Sequence, residues 1–192
     1  MKRTILTLAL SLFTAGIALA TEPVEVDKKE VKAEESKVAW KAYKVTGSHN
    51  GTVTLKSGTL MFDNDKLSGG EFAVDMTSLI VTDIEGGSRY KLEGHLKSDD
   101  FFAVESHPTA TLVFTKVKST GKNSYEVTGD LTIKEITKPV TFDVSVYGSK
   151  ATATMKVDRT DFDIKYGSGS FFDDLGDKTI YDEFDLVVDL EF

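Results

Sequence analysis

Three kinds of side chain stand at spacings from which chemistry could be asked. Asp158, Asp161 and Asp163 lie close together, and paired carboxylates are what glycoside hydrolysis needs, one as acid and one as base or nucleophile. On a strand, however, Asp161 and Asp163 share a side with Lys165 while Phe162 and Ile164 take the other, the pattern of a solvated strand face. His49, His95 and His107 are the only histidines. Three could ligate zinc, yet they fall on a turn, a helix and a turn, with no paired spacing and no cysteine nearby, so surface or turn-stabilising roles are expected and no metal is assigned. The Asp173, Asp174, Asp177 loop lacks the ligand order of an EF-hand and reads as a solvated acidic loop. No GxSxG, HExxH, phosphate-binding glycine loop or cysteine nucleophile occurs, and no catalytic residue is assigned.

Beyond residue 20 the only arginines are Arg89 and Arg159; every other basic position is lysine. A guanidinium suits planar, bidentate or partly buried pairing. Two readings follow. Each arginine locks a neighbouring carboxylate, for instance Asp99 or Asp100 with Arg89, or Arg89 sits at the mouth of the fold against a ligand headgroup such as a phosphate or a quinone oxygen.

The elements that position these residues are mostly strands. From Ser36 apolar residues recur with a period of two: Val38 and Trp40; Val53 and Leu55; Leu60 and Phe62; Phe72, Val74 and Met76. Turns are expected at Thr46–Gly51, at Asp63–Asp65, at Ser119–Asn123 and at Lys134–Pro139. Val140, Phe142, Val144 and Val146 continue the pattern, then Ala151, Ala153, Met155 and Val157, and finally Phe184, Leu186, Val188, Leu190 and Phe192. One stretch breaks it. Between Ser88 and Phe114, Leu92 and Leu96 stand four apart in a short amphipathic helical segment, closed by Asp99-Asp100-Phe101-Phe102 and by His107-Pro108.

The fold class is therefore all-β, with about eight strands joined by tight turns and antiparallel to their neighbours, and one short helical insert between strands three and four. Closure into an up-and-down barrel removes the edges that so long a meander would otherwise expose. The insert is expected to sit on the open end as a plug or lid. Such a barrel either fills its interior or holds one small ligand. Ala151, Ala153 and Gly129 share faces with larger residues, which fits a slot as well as it fits interlocked packing.

At 192 residues and 40% hydrophobic content the chain suits one domain with a substantial core. Lys2 and Arg3, then an apolar run from Ile5 to Ala20 with Ala18 and Ala20 in small-residue positions, read as a signal peptide over 1–20 rather than a membrane span. A periplasmic or secreted location is expected. No cysteine is present, so neither a lipid anchor nor a disulfide is available. Residues 21–35 mix charges with few large apolar groups and are expected as a flexible charged leader. The formal net charge of −8 argues against nucleic acid and anionic membrane surfaces as partners.

Several separated motifs, in order, carry a family resemblance. They are Ser36-Lys37-Val38-Ala39-Trp40, His49-Asn50-Gly51, Arg89, His95 to Phe102, His107-Pro108, Gly129 to Ile133, Thr137 to Val140, and Asp158 to Phe162. The stretch 36–192 resembles the YceI-like family. The resemblance implies a lipocalin-like antiparallel barrel, secreted or periplasmic, whose apolar interior binds a polyisoprenoid, quinone-like or other lipid chain for storage or transport. It brings no catalytic motif and no cofactor beyond that ligand.

Pocket residues come from strand alternation: Trp40, Phe72, Val74, Met76, Phe142, Val144, Met155 and Phe184, with Arg89 at the mouth. A different class of function, a structural or stress-related envelope protein with a packed barrel and protein partners, fits the same composition. A homodimer is left open.

Overall fold

A computed structural model of the chain describes residues 26–192; the expected signal peptide and residues 21–25 lie outside them. Nine strands form: β1 (Asp27–Glu30), β2 (Lys37–Lys44), β3 (Gly47–Asp63), β4 (Lys66–Val81), β5 (Thr109–Ser119), β6 (Ser124–Ile133), β7 (Ile136–Tyr147), β8 (Lys150–Asp158) and β9 (Ile180–Glu191). Strands β2 to β9 pair antiparallel in chain order, and β9 pairs back onto β2, so these eight close an up-and-down barrel. Helix α1 (Gly86–Lys97) is inserted between β4 and β5, the third and fourth strands of the barrel.

Alternation on the two longest strands is interrupted. β3 runs unbroken from Gly47 to Asp63, with register shifts against β4 between Thr52 and Thr54, Leu55 and Ser57, and Met61 and Phe62. Its first half pairs with β2 and its last with β1 along the same edge. This corrects the expected turn at Thr46–Gly51: His49, Asn50 and Gly51 are strand residues paired with Ala42, Lys41 and Trp40. The reversal is confined to Val45 and Thr46, and the polar residues that follow continue a regular ladder with β2. The Lys134–Pro139 turn likewise shrinks to Lys134 and Glu135, both at positive φ, while Pro139 pairs with Asp130 inside the sheet. Positive φ at two central residues gives the hairpin twist that matches its flanking strands.

Part of the expected flexible leader is also corrected. Asp27–Glu30 forms β1 against Thr59–Phe62, Ala33–Glu35 makes a 3-10 turn, and Val31 between them is buried. Every β1 residue is exposed, so its pairing rests on backbone hydrogen bonds and on Val31. Charge along such an edge discourages a further strand from joining.

The two barrel ends differ. At one, Phe62 and Phe192 pack with ring centroids 5.7 Å apart beneath Lys29, and the Leu67 amide donates to Tyr125 Oη at 3.3 Å. Buried Phe62, Leu67, Tyr125 and Val127 fill this end. At the other end stand α1 and the long 159–179 connection. Here Glu93 Oε1 accepts from the Val81 amide and from Arg89 Nε, both at 2.8 Å, and Lys97 Nζ donates to the Thr77 carbonyl at 2.8 Å. The Arg89 hydrogen bond, with the Val81 amide, holds the Glu93 carboxyl below the usual range. The C-terminal half of the helix is thereby tied to the last residues of β4.

Candidate ligand cavity in the barrel interior

Inward-facing residues of the eight barrel strands enclose two adjoining cavities. The inner one, of about 90 Å³, is lined from β3, β7, β8 and β9 by Leu60, Phe142, Val144, Ala151, Ala153, Met155 and Leu190, with Phe72, Leu112 and Phe114 on β4 and β5. The outer one, of about 130 Å³, lies under the lid end and is lined by Trp40, Met76, Leu79, Ile133 and Phe184, with Leu96 of α1 and Phe101 and Phe102 of the turn after it. Val38, Val74, Ala110, Leu131 and Leu186 line both. The two therefore lie end to end along the barrel. β9 carries lining residues from Ile180 to Leu190, a reach of about 25 Å along the axis for ~3.3 Å per residue and a tilt of about 40°.

Of the residues expected in the pocket, Phe72, Phe142, Val144 and Met155 stand on the inner cavity, Trp40, Met76 and Phe184 on the outer, and Val74 on both. Strand alternation brings all eight to one interior. Ala151 and Ala153 leave the slot that small inward residues allow, whereas Gly129 backs onto β5. A Cβ there would come within 2.9 Å of Leu112 and 3.0 Å of the Val113 carbonyl, beside the bulge between Phe114 and Lys116.

Arg89 lines neither cavity. Its partner is Glu93, four residues on along α1, instead of Asp99 or Asp100; Asp100 stands 3.6 Å from His95 Nε2. The arginine at the cavity is Arg159, which is 4% exposed. Its Nε donates to the Tyr181 carbonyl (3.1 Å), Nη1 to the Ile164 carbonyl (2.7 Å), and Nη2 to the Ile180 carbonyl (3.0 Å) and to Asp182 Oδ1 (3.3 Å). Burial pushes its pKa down, opposed by the Asp182 and Asp158 carboxylates. Sequence spacing could not select it, because its acceptors come mostly from β9, more than twenty residues away.

The carboxylate and histidine groups are held apart from the cavity. Asp158 does not continue a strand into Asp161 and Asp163: residues Arg159–Phe162 form a 3-10 turn capped by Asp158, whose Oδ1 accepts from the Thr160 amide at 2.8 Å. Asp163 adopts a left-handed backbone and pairs with Lys165 at 2.6 Å. Phe162 and Ile164 are buried by the turn, an arrangement that alternation alone does not distinguish from a strand. His49 pairs with Asp83 at 2.8 Å near the start of β3, and His95 packs edge-on against Phe101 and Tyr166.

The cavity walls are hydrocarbon. The guanidinium donors of Arg159 are directed to backbone carbonyls and Asp182, and Trp40 Nε1 is buried with no hydrogen-bond partner among the described residues. Apolar space of this kind stays dry and favours an apolar guest. One end of the barrel is filled by packed strand residues. The other is covered by Leu96, Phe101 and Phe102, which lie on the helix and turn outside the barrel ladder.

Several known proteins share this architecture. Solved structures include BcnA of Burkholderia cenocepacia, with a TM-score of 0.66 at 24% identity over 83% of this chain and 98% of that one. A polyisoprenoid binding domain from Saccharophagus degradans, implicated in plant cell wall breakdown, gives 0.59 at 14% identity over 87% and 99%. In sequence, a UPF0312 protein of Pseudomonas putida (strain W619) is 34% identical over 151 residues, 77% of this chain and 74% of the relative. A UPF0312 protein of Azotobacter vinelandii is 35% identical over 148 residues, 73% and 70% of the two chains. The family model described as the YceI-like domain matches residues 30–192, and the chain belongs to the YceI-like domain family.

Proposed function

We propose that this protein is a non-enzymatic carrier that shelters the tail of a polyisoprenoid or similar long apolar lipid inside its barrel, for storage or transport in the cell envelope or outside the cell. The observation that carries the reading is the pair of adjoining hydrocarbon-walled cavities along the barrel axis. The likeness to a polyisoprenoid binding domain supports the ligand class, and the apolar run Ile5–Ala20 behind Lys2 and Arg3 supports export. Burying each methylene contributes about 0.8 kcal/mol, so a tail of several isoprene units offsets the freedom lost on binding without any polar contact.

Trp40 is the only tryptophan and lines the outer cavity, so its emission reports occupancy. Titration with a long-chain polyprenol is expected to change Trp40 emission saturably at one ligand per chain. Emission that stays constant through an excess of polyprenol would remove the support for a barrel-interior site.

A further inference from the structure

We infer that the barrel selects its lipid by tail length, with Ala110 as the residue that sets the limit. This rests on the carrier reading above. The two cavities adjoin at five residues, Val38, Val74, Ala110, Leu131 and Leu186, which among the described residues are the ones that line both and so form the waist a tail must pass. Four of them carry branched side chains. Ala110, on β5 opposite Val74, is the one small member, and it is buried. A tail entering from the lid end meets the outer cavity first and reaches the inner one only past Ala110.

Beyond the inner cavity the axis is closed by the packed end around Phe62 and Phe192. The inner cavity is therefore the one farther from the lid, with the small residues Ala151 and Ala153 in its wall. A tail that ends before the waist gains nothing from it; a longer tail gains the burial of each methylene that the inner cavity of about 90 Å³ can take, at a factor of roughly four in affinity for each. Selectivity between tails should then depend on the waist and the inner cavity, while the lid-end contacts serve all tails alike.

The test compares prenol, a single isoprene unit that the outer cavity of about 130 Å³ can hold, with solanesol, which is long enough to pass the waist, both followed by Trp40 emission. The unaltered protein is expected to bind solanesol at least about tenfold more tightly than prenol. Ala110→Leu narrows the waist and should collapse that ratio to within about threefold. Ala153→Leu fills the inner cavity from β8 and should do the same, so the inference stays open to refutation even if added volume at Ala110 prevents folding. A ratio that stays above about tenfold in the folded variants overturns the ruler and leaves the carrier standing. An unaltered protein that binds neither alcohol overturns the carrier reading and the ruler with it.

Discussion

Arg159→Ala is expected to destabilise the protein by about 3–5 kcal/mol, the cost of removing one partner from a buried ionic network. Its guanidinium joins three backbone carbonyls, those of Ile164, Ile180 and Tyr181, to the Asp182 carboxylate. None of these acceptors finds a replacement in a methyl group. The face of the guanidinium also lies 5.9 Å from the Phe101 ring, so the same side chain links β9, the 159–164 turn and the lid. Arg159→Lys keeps the charge but gathers its three donors on one nitrogen, which cannot span four acceptors placed for a planar fork, and an intermediate loss is expected. Urea denaturation of the three proteins measures the effect. A loss below about 1 kcal/mol for alanine would mean that the 159–182 segment is held by other contacts.

Gly51→Ala is the second large effect. A Cβ at this position would collide with the Ile80 carbonyl oxygen and stand 2.6 Å from Trp40 Cζ2. The obstacle on one side is backbone in the β3–β4 ladder, and on the other an indole already 92% withdrawn from solvent, Trp40 being 8% exposed. Neither can yield cheaply. About 3 kcal/mol of stability should be lost, at the upper end of what overpacking costs. Because Trp40 is the sole tryptophan, its emission should shift together with the change in thermal midpoint. A folded variant with unchanged emission and a loss below about 1 kcal/mol would show that the β2–β3–β4 wall has slack the structure does not reveal.

The same two residues show what could be read from the sequence and what could not. Alternation on β9 was fully legible: Phe184, Leu186, Val188 and Leu190 all line the cavities, because the strand pairs on both sides and no register shift falls between them and β8. Regular spacing also brought Phe72 and Val74, Phe142 and Val144, and Met155 to the interior. Gly51 was less legible. Its motif read as a turn, whereas the absence of a side chain serves the close approach of Trp40 and Ile80 from two neighbouring strands.

The arginines could be singled out by their rarity but not sorted by role. Arg89 finds its carboxylate one helical turn away, while Arg159 meets groups that only the return of β9 delivers. β1 was hidden for a different reason. Asp27-Lys28-Lys29-Glu30 has no apolar alternation, so an edge strand paired through backbone alone looks like solvated leader. The capping end followed the same logic in part. Leu96 was visible from its spacing with Leu92, but the cover is completed by Phe101 and Phe102, beyond the last helical residue.

The most direct test of the account is native mass spectrometry of the protein purified from the envelope fraction of its own cells, followed by organic extraction of whatever adds mass. The account predicts one apolar chain per barrel, released on denaturation and identified as an isoprenoid or comparable lipid. A bare mass that persists after incubation with polyprenols and quinones would contradict it, and would assign the barrel to contacts with other proteins.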